Sequence, residues 1–227
     1  MSGSRRAGRR IERIVERLCA AYGRPVWSRG GPPVDGLVRT ILSQNTSDRN
    51  SAAAYASLRQ ALPTWEAVAD APVARIERAI RCGGLSRVKA RRIRQILRSV
   101  REQRGSVSLG FLRRWPTERA VAWLAALPGV GPKTVACVMM FDLHRPVLPV
   151  DTHVHRVSRR LELIGERTSA ARAHEDLAAA CPPRLVYAFH VLLIRHGRQT
   201  CTARRPRCGQ CALRTLCRWP DRNPPSR

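Results

Sequence analysis

Ala120 to Phe141 read AVAWLAALPGVGPKTVACVMMF: an apolar helix, a Pro128-Gly129-Val130-Gly131 turn, and a second apolar helix opened by Pro132. That order predicts a helix-hairpin-helix. The two glycines let the backbone turn sharply and approach another backbone closely, and Pro132 suits a first helical position, where no amide hydrogen is required. Amides of such a turn point outward beside the positive end of a helix, which makes an anion site. In so basic a chain the anion expected is a nucleic-acid phosphate, with Gly129, Val130, Gly131 and Thr134 as the contacting residues.

The charge that supports this reading is extreme. The 227 residues carry 42 basic side chains against 16 acidic ones, a formal net charge of +26. Self-repulsion on that scale destabilises a compact protein unless a polyanion neutralises it in use. All but two of the basic residues are arginines; the lysines are Lys89 and Lys133. Arginine stays protonated at any working pH, whereas a lysine can shed its proton and act as an amine nucleophile, so Lys133, one residue into the helix after the turn, is a candidate for chemistry.

Outward from the hairpin, Ile11, Ile14, Val15 and Leu18 recur at helical spacing, as do Leu37, Val38, Ile41 and Leu42, then Ile93, Ile96, Leu97 and Val100. Period-two alternation is nowhere sustained, so an all-α protein of about ten helices is predicted. Asp48, Ser86 and Asp151 stand where N-caps belong. The arginine-rich first ten residues and the proline-containing last eight read as frayed ends. A basic start followed by a charged amphipathic helix is unlike a signal peptide, and no stretch approaches the ~20 apolar residues of a membrane span. A cytoplasmic location and no membrane partner are expected, with the eight cysteines as reduced thiols or metal ligands.

Four of them are close together. Cys201, Cys208, Cys211 and Cys217 have six, two and five residues between them in CTARRPRCGQCALRTLC. Zinc and a cubane iron-sulfur cluster both accept four thiolates, so ligand type alone leaves both open. Arg204, Arg205 and Arg207 in the first loop offer a small basic face toward phosphate. Cys19, Cys82, Cys137 and Cys181 are scattered, and read as small buried hydrophobes.

LPGVGPKT (residues 127–134) followed by VDTH (residues 150–153) resembles the endonuclease III family of helix-hairpin-helix DNA glycosylases, and the resemblance runs from about Val34 to Cys217. It implies a two-lobed fold, with residues 28–144 as a six-helix lobe and residues 1–27 and 145–227 combined in a second. The six-two-five cysteine spacing, preceded by His196-Gly197-Arg198, is similar to the [4Fe-4S] loop of that family. The resemblance further implies that Lys133 attacks the deoxyribose, that Asp151 assists, and that the partner is double-stranded DNA with a damaged base or abasic site, bound by a monomer.

A base inside a duplex must be extruded before it is reached. The family places the gap-filling segment at Ser43-Gln44-Asn45-Thr46 and the wedge at Gly84-Leu85, so Gln44, Asn45 and Leu85 are expected at DNA, together with His153. Asn45, Ser86 and His155 depart from the family's commonest residues at their positions. The lesion class it implies, oxidised or ring-saturated pyrimidines, thus comes from the family and not from a pocket residue. An adenine-removing relative would carry a glutamate near Thr40, and a thymine or uracil mismatch glycosylase normally lacks the lysine. A non-catalytic iron-sulfur DNA-binding or redox-sensing module would bind without cleaving, and Lys133 with Asp151 speaks against it.

Overall fold

The computed structural model describes residues 2–28 and 30–222, and among them every regular element is helical. Two compact units form, Arg29–Arg145 and a second made of Met1–Ser28 with Pro146–Arg227. No single helix among the described residues is long and apolar enough to cross a membrane.

The unit Arg29–Arg145 holds α2 (Pro33–Leu42), α3 (Asp48–Ala61), α4 (Trp65–Asp70), α5 (Val73–Ala79), α6 (Ser86–Arg104), α7 (Thr117–Ala125) and α8 (Pro132–Cys137). That is one segment more than the six expected, because Pro72 parts α4 from α5 and caps the start of the latter. α8 runs on through a wider turn, Val138–Asp142, before the chain leaves the unit. α6 packs on α4 and α5, and the apolar positions read at helical spacing on α2 and α6 are all buried. Removing those side chains from water is the main stabilising term, worth about 2 kcal/mol for each large aliphatic group.

Two expected caps shift by one residue. Ser47, not Asp48, caps α3, its hydroxyl accepting from the Asn50 amide at 3.2 Å. Leu85, not Ser86, precedes α6, and it does so in the left-handed region at φ 50°, leaving Ser86 as the first helical residue. Serine at 47 wins because its short hydroxyl already reaches the third amide of the helix. At the far end Gly105, at φ 76°, closes α6 by donating its amide to Arg101.

In the other unit are α1 (Ser2–Tyr22), α9 (Thr152–Arg160), α10 (Ala170–Ala180), α11 (Val186–Gln199) and α12 (Trp219–Arg222). α11 packs against α9 and α1, and α1 against α10, around Ile11, Ile14, Leu18, Val154, Leu177, Phe189 and Leu193. The expectation of a frayed N-terminus is corrected. Residues 2–10 belong to α1, since arginine is a good helix former and the apolar stripe from Ile11 docks the rest of the helix in the core. Of the last eight residues, those after Arg222 lie outside the described residues.

Candidate active site and cysteine loop

The hairpin of Arg29–Arg145 forms as its residues dictate. Gly129 adopts φ 72°, a conformation that side chains disfavour, and a Cβ there would meet the Arg92 guanidinium at 2.9 Å. Gly131 is extended and would project a Cβ into open space, so its backbone is the approachable edge of the turn. Pro132 opens α8, and Val135 donates back to Gly131 at 3.0 Å to close the first helical turn. Lys133 is exposed on that turn.

Val130 and Thr134 are buried, so what they can offer a phosphate is main chain and not side chain. Thr134 instead faces inward, where its hydroxyl lies 3.5 Å from the Gln44 amide nitrogen. The other end of the Gln44 amide accepts from Arg92 at 2.9 Å. Arg92 therefore touches both the Gln44 loop and the glycine turn. Its residue type gave no signal of this among so many arginines.

The Gln44 loop and the Leu85 loop are both backbone-strained and solvent-facing. Asn45 sits at φ 52° and is exposed, and Leu85 at φ 50° is 57% exposed, a large apolar side chain held out in water. Non-glycine residues in the left-handed region cost about 1 kcal/mol or more each and persist only where their surroundings fix them. Lys89 supplies the fixing here. It is buried, and its ammonium donates to the carbonyls of Leu42 at 2.7 Å and Gly83 at 2.8 Å. Arg91, Arg94 and Arg98 on α6 line a groove with Pro128, adding positive charge beside the turn.

In the other unit Asp151 caps α9, its carboxylate accepting from the Val154 amide at 2.7 Å. His153, two residues further on, has its Nδ1 3.1 Å from the Arg156 guanidinium, which can only donate. Burial pulls the His153 pKa down, and Arg156 and Arg198 pull it further, against Asp151 and the Gly197 carbonyl. Arg156 also donates to the carbonyls of Gly197 and Cys201, joining α9 to the start of the cysteine loop. Gly197 is needed for this approach, because a Cβ would meet His153 and Arg156 within 3.2 Å.

All four cysteines of the loop line one cavity together with His196, Arg160 and Leu213. The thiols are near enough to disfavour one another's ionisation, and burial pushes Cys211 up to about 11 and Cys217 up as well. Only a cationic centre offsets four thiolates crowded this way, which fits a thiolate-held metal group. Among the described residues no three His, Cys, Asp or Glu side chains close around the position of a single ion; the sulfurs surround a cavity instead. Hydrogen bonds to sulfur are in place: Arg160 Nη1 to Cys201 at 3.2 Å and the Leu213 amide to Cys211 at 3.4 Å. Arg160 is itself buried, donates to the Thr202 and Ala203 carbonyls, and packs 4.8 Å from the Trp219 ring. His196 reaches Cys211 at 3.6 Å with Tyr22 on its other nitrogen.

Arg204, Arg205 and Arg207 are exposed on this loop. Of the other cysteines, Cys137 and Cys181 are buried and Cys19 half-buried, but Cys82 is exposed, contrary to the expectation of a buried hydrophobe, because it lies in the short turn before Gly83-Gly84.

Residues 38–183 match the HhH-GPD superfamily base excision DNA repair protein model, and residues 201–217 match the iron-sulfur binding domain of endonuclease III. The cofactor of the latter domain is a [4Fe-4S] cluster. The chain is 40% identical over 165 residues to a candidate DNA glycosylase of Arabidopsis thaliana, a match covering 73% of this chain. It spans 56% of that relative's length. Endonuclease III of Escherichia coli strain K12 is 33% identical, with 84% of this chain and 85% of that protein covered. A solved non-covalent endonuclease III–DNA complex superposes with a TM-score of 0.80 at 26% identity, covering 95% of this chain and 97% of that one.

Proposed function

The chain belongs to the endonuclease III family of the HhH-GPD superfamily of base excision DNA repair proteins, and from that premise we propose that it is a bifunctional DNA glycosylase and abasic-site lyase. It binds double-stranded DNA as a monomer in the cytoplasm and releases oxidised or ring-saturated pyrimidines. Lys133 is the nucleophile. Its neutral amine attacks the anomeric carbon of the deoxyribose, the base departs with its bonding electrons and a proton, and the C1′–O4′ bond then breaks, leaving O4′ as a hydroxyl and opening the sugar to an imine. The imine acidifies the neighbouring C2′–H; removal of that proton expels the 3′ phosphate and cuts the strand. Asp151 stabilises the positive charge that builds on the sugar.

The observation that carries this reading is the fate of the two lysines: Lys89 is buried and committed to two carbonyls, while Lys133 stands exposed in the first turn of α8. Beside it in the same unit, the main chain at Gly129, Val130, Gly131 and Thr134 takes a phosphate, and in the other unit Arg204, Arg205 and Arg207 take further ones. Leu85, Gln44, Asn45 and His153 face the opened duplex. Cys201, Cys208, Cys211 and Cys217 hold the [4Fe-4S] cluster, which ties the C-terminal loop together when bound.

Borohydride reduction in the presence of duplex DNA carrying thymine glycol tests the proposal. A covalent protein–DNA adduct with the native chain, and strand cleavage without borohydride, are expected. No adduct and no cleavage, even at a preformed abasic site, would overturn it.

A further inference from the structure

Lys89 has no part in the chemistry proposed for Lys133, yet it is the only other lysine in a chain that otherwise uses arginine for every positive charge. Its surroundings give a reason. Lys89 is 3% exposed, and the two carbonyls its ammonium binds belong to different segments. Leu42 is the last residue of α2, directly before Ser43-Gln44-Asn45-Thr46, and Gly83 directly precedes Gly84 and Leu85.

Each segment turns to positive φ just past its anchor. Gly84 and Leu85 take φ 65° and 50°, and Asn45 takes φ 52°. The carbonyl of Leu42 is one of those a helix end leaves without an intrahelical donor, and Lys89 supplies one. An ammonium is a compact charge with three rotatable donors, so a single nitrogen reaches both carbonyl oxygens within 2.8 Å. Burial lowers the pKa of the group, so it stays there at a desolvation cost that the two short bonds offset. Charge-assisted bonds of this kind are stiff, and they make the feet of the two loops one rigid piece.

We infer that Lys89 is a positioning residue for base extrusion: its ammonium holds the Gln44–Asn45 loop and the Leu85 loop in fixed register, so that both enter the duplex as one element. This rests on the reading of those loops as the segments that open DNA. The exposed Leu85 side chain gains nothing in water and everything from entering a base stack.

The test uses the full cluster-containing chain and two duplexes with the same thymine glycol, one with the lesion paired to adenine and one with it opposite an abasic gap, where extrusion is already half accomplished. Single-turnover release by Lys89→Met is expected to fall about 10-fold or more on the paired duplex and by no more than about 2-fold on the gapped one, as a misplacement of about 1 Å in supporting groups would produce. In a Leu85→Gly background the same substitution should add little further loss on the paired duplex, since the loop it positions no longer carries its wedge. Equal losses on both duplexes, or no loss on either, would overturn the inference. Absence of activity from the native chain on both duplexes would instead overturn the glycosylase reading beneath it. Should Lys89→Met fail to hold its fold, Lys89→Gln keeps two N–H donors without the charge. It is expected to show the same paired-over-gapped discrimination in smaller measure, and its absence there counts equally against the clamp.

Discussion

Gly36 packs so closely against the carboxylate of Asp142 that no side chain fits between them. The carboxyl is buried, and burial with the nearby negative Asp35 pushes its pKa up to about 7 against the pull of Arg113 and Arg39. Unfolded, the same acid ionises near the ordinary value of about 4. Between those two pH values the folded chain holds a proton that the unfolded chain has lost, so the stability from this group is lost as pH rises toward about 7 and changes no further above it. Thermal melts across about pH 5 to 8 should therefore slope downward for the native chain, and Asp142→Asn should flatten that slope. Parallel slopes in the two proteins would show that Asp142 does not titrate in this window.

Lys133→Arg keeps the charge and removes the amine that can lose its proton. Binding to lesion-containing duplex should stay within about 2-fold of native, within the spread of a surface change. The borohydride adduct and strand cleavage should disappear. Cross-linking at the native rate by the variant would assign the nucleophile elsewhere.

Asp151→Asn separates two roles of one side chain. Asparagine caps helices as well as aspartate does, so the melting temperature should hold, whereas Asp151→Ala should cost about 1 kcal/mol through the lost bond to Val154. Both variants should release base slowly. An Asn variant with native rates would reduce Asp151 to a cap.

Replacing Arg204, Arg205 and Arg207 together by alanine should make the dependence of DNA affinity on salt shallower by about 2 to 3 units in the log–log slope, since each phosphate contact contributes about 0.9. Fluorescence anisotropy over a range of salt concentrations measures this. An unchanged slope would place these exposed arginines away from DNA.

Protein purified without oxygen should contain about four irons and four sulfides per chain, with a brown colour that bleaches as iron is lost. Cys208→Ser should lose iron and melt lower, because the crowded thiols then lack their offsetting charge. Stoichiometric zinc in place of iron would reverse the cofactor assignment.

The sequence alone determined what depends on neighbours along the chain. The hairpin follows from Pro128-Gly129-Val130-Gly131-Pro132, the cap at Asp151 from its place before α9, the cysteine set from its six-two-five spacing, and the buried faces of α1, α2 and α6 from their periodicity. Backbone freedom, capping and helical period act over a few residues, so they can be read without a fold. Even here a single step escaped at Ser47 and Leu85, where side-chain reach and a left-handed backbone decided between adjacent residues. Tertiary structure alone decided which charges are buried and what they hold. Lys89 meets a carbonyl 47 residues away, Arg160 a sulfur 41 residues away, and Asp142 the space left by Gly36. In a chain with 42 basic residues nothing local marks the few that are taken out of water. Desolvation and pairing depend on what the fold brings around a side chain, not on what precedes it in sequence.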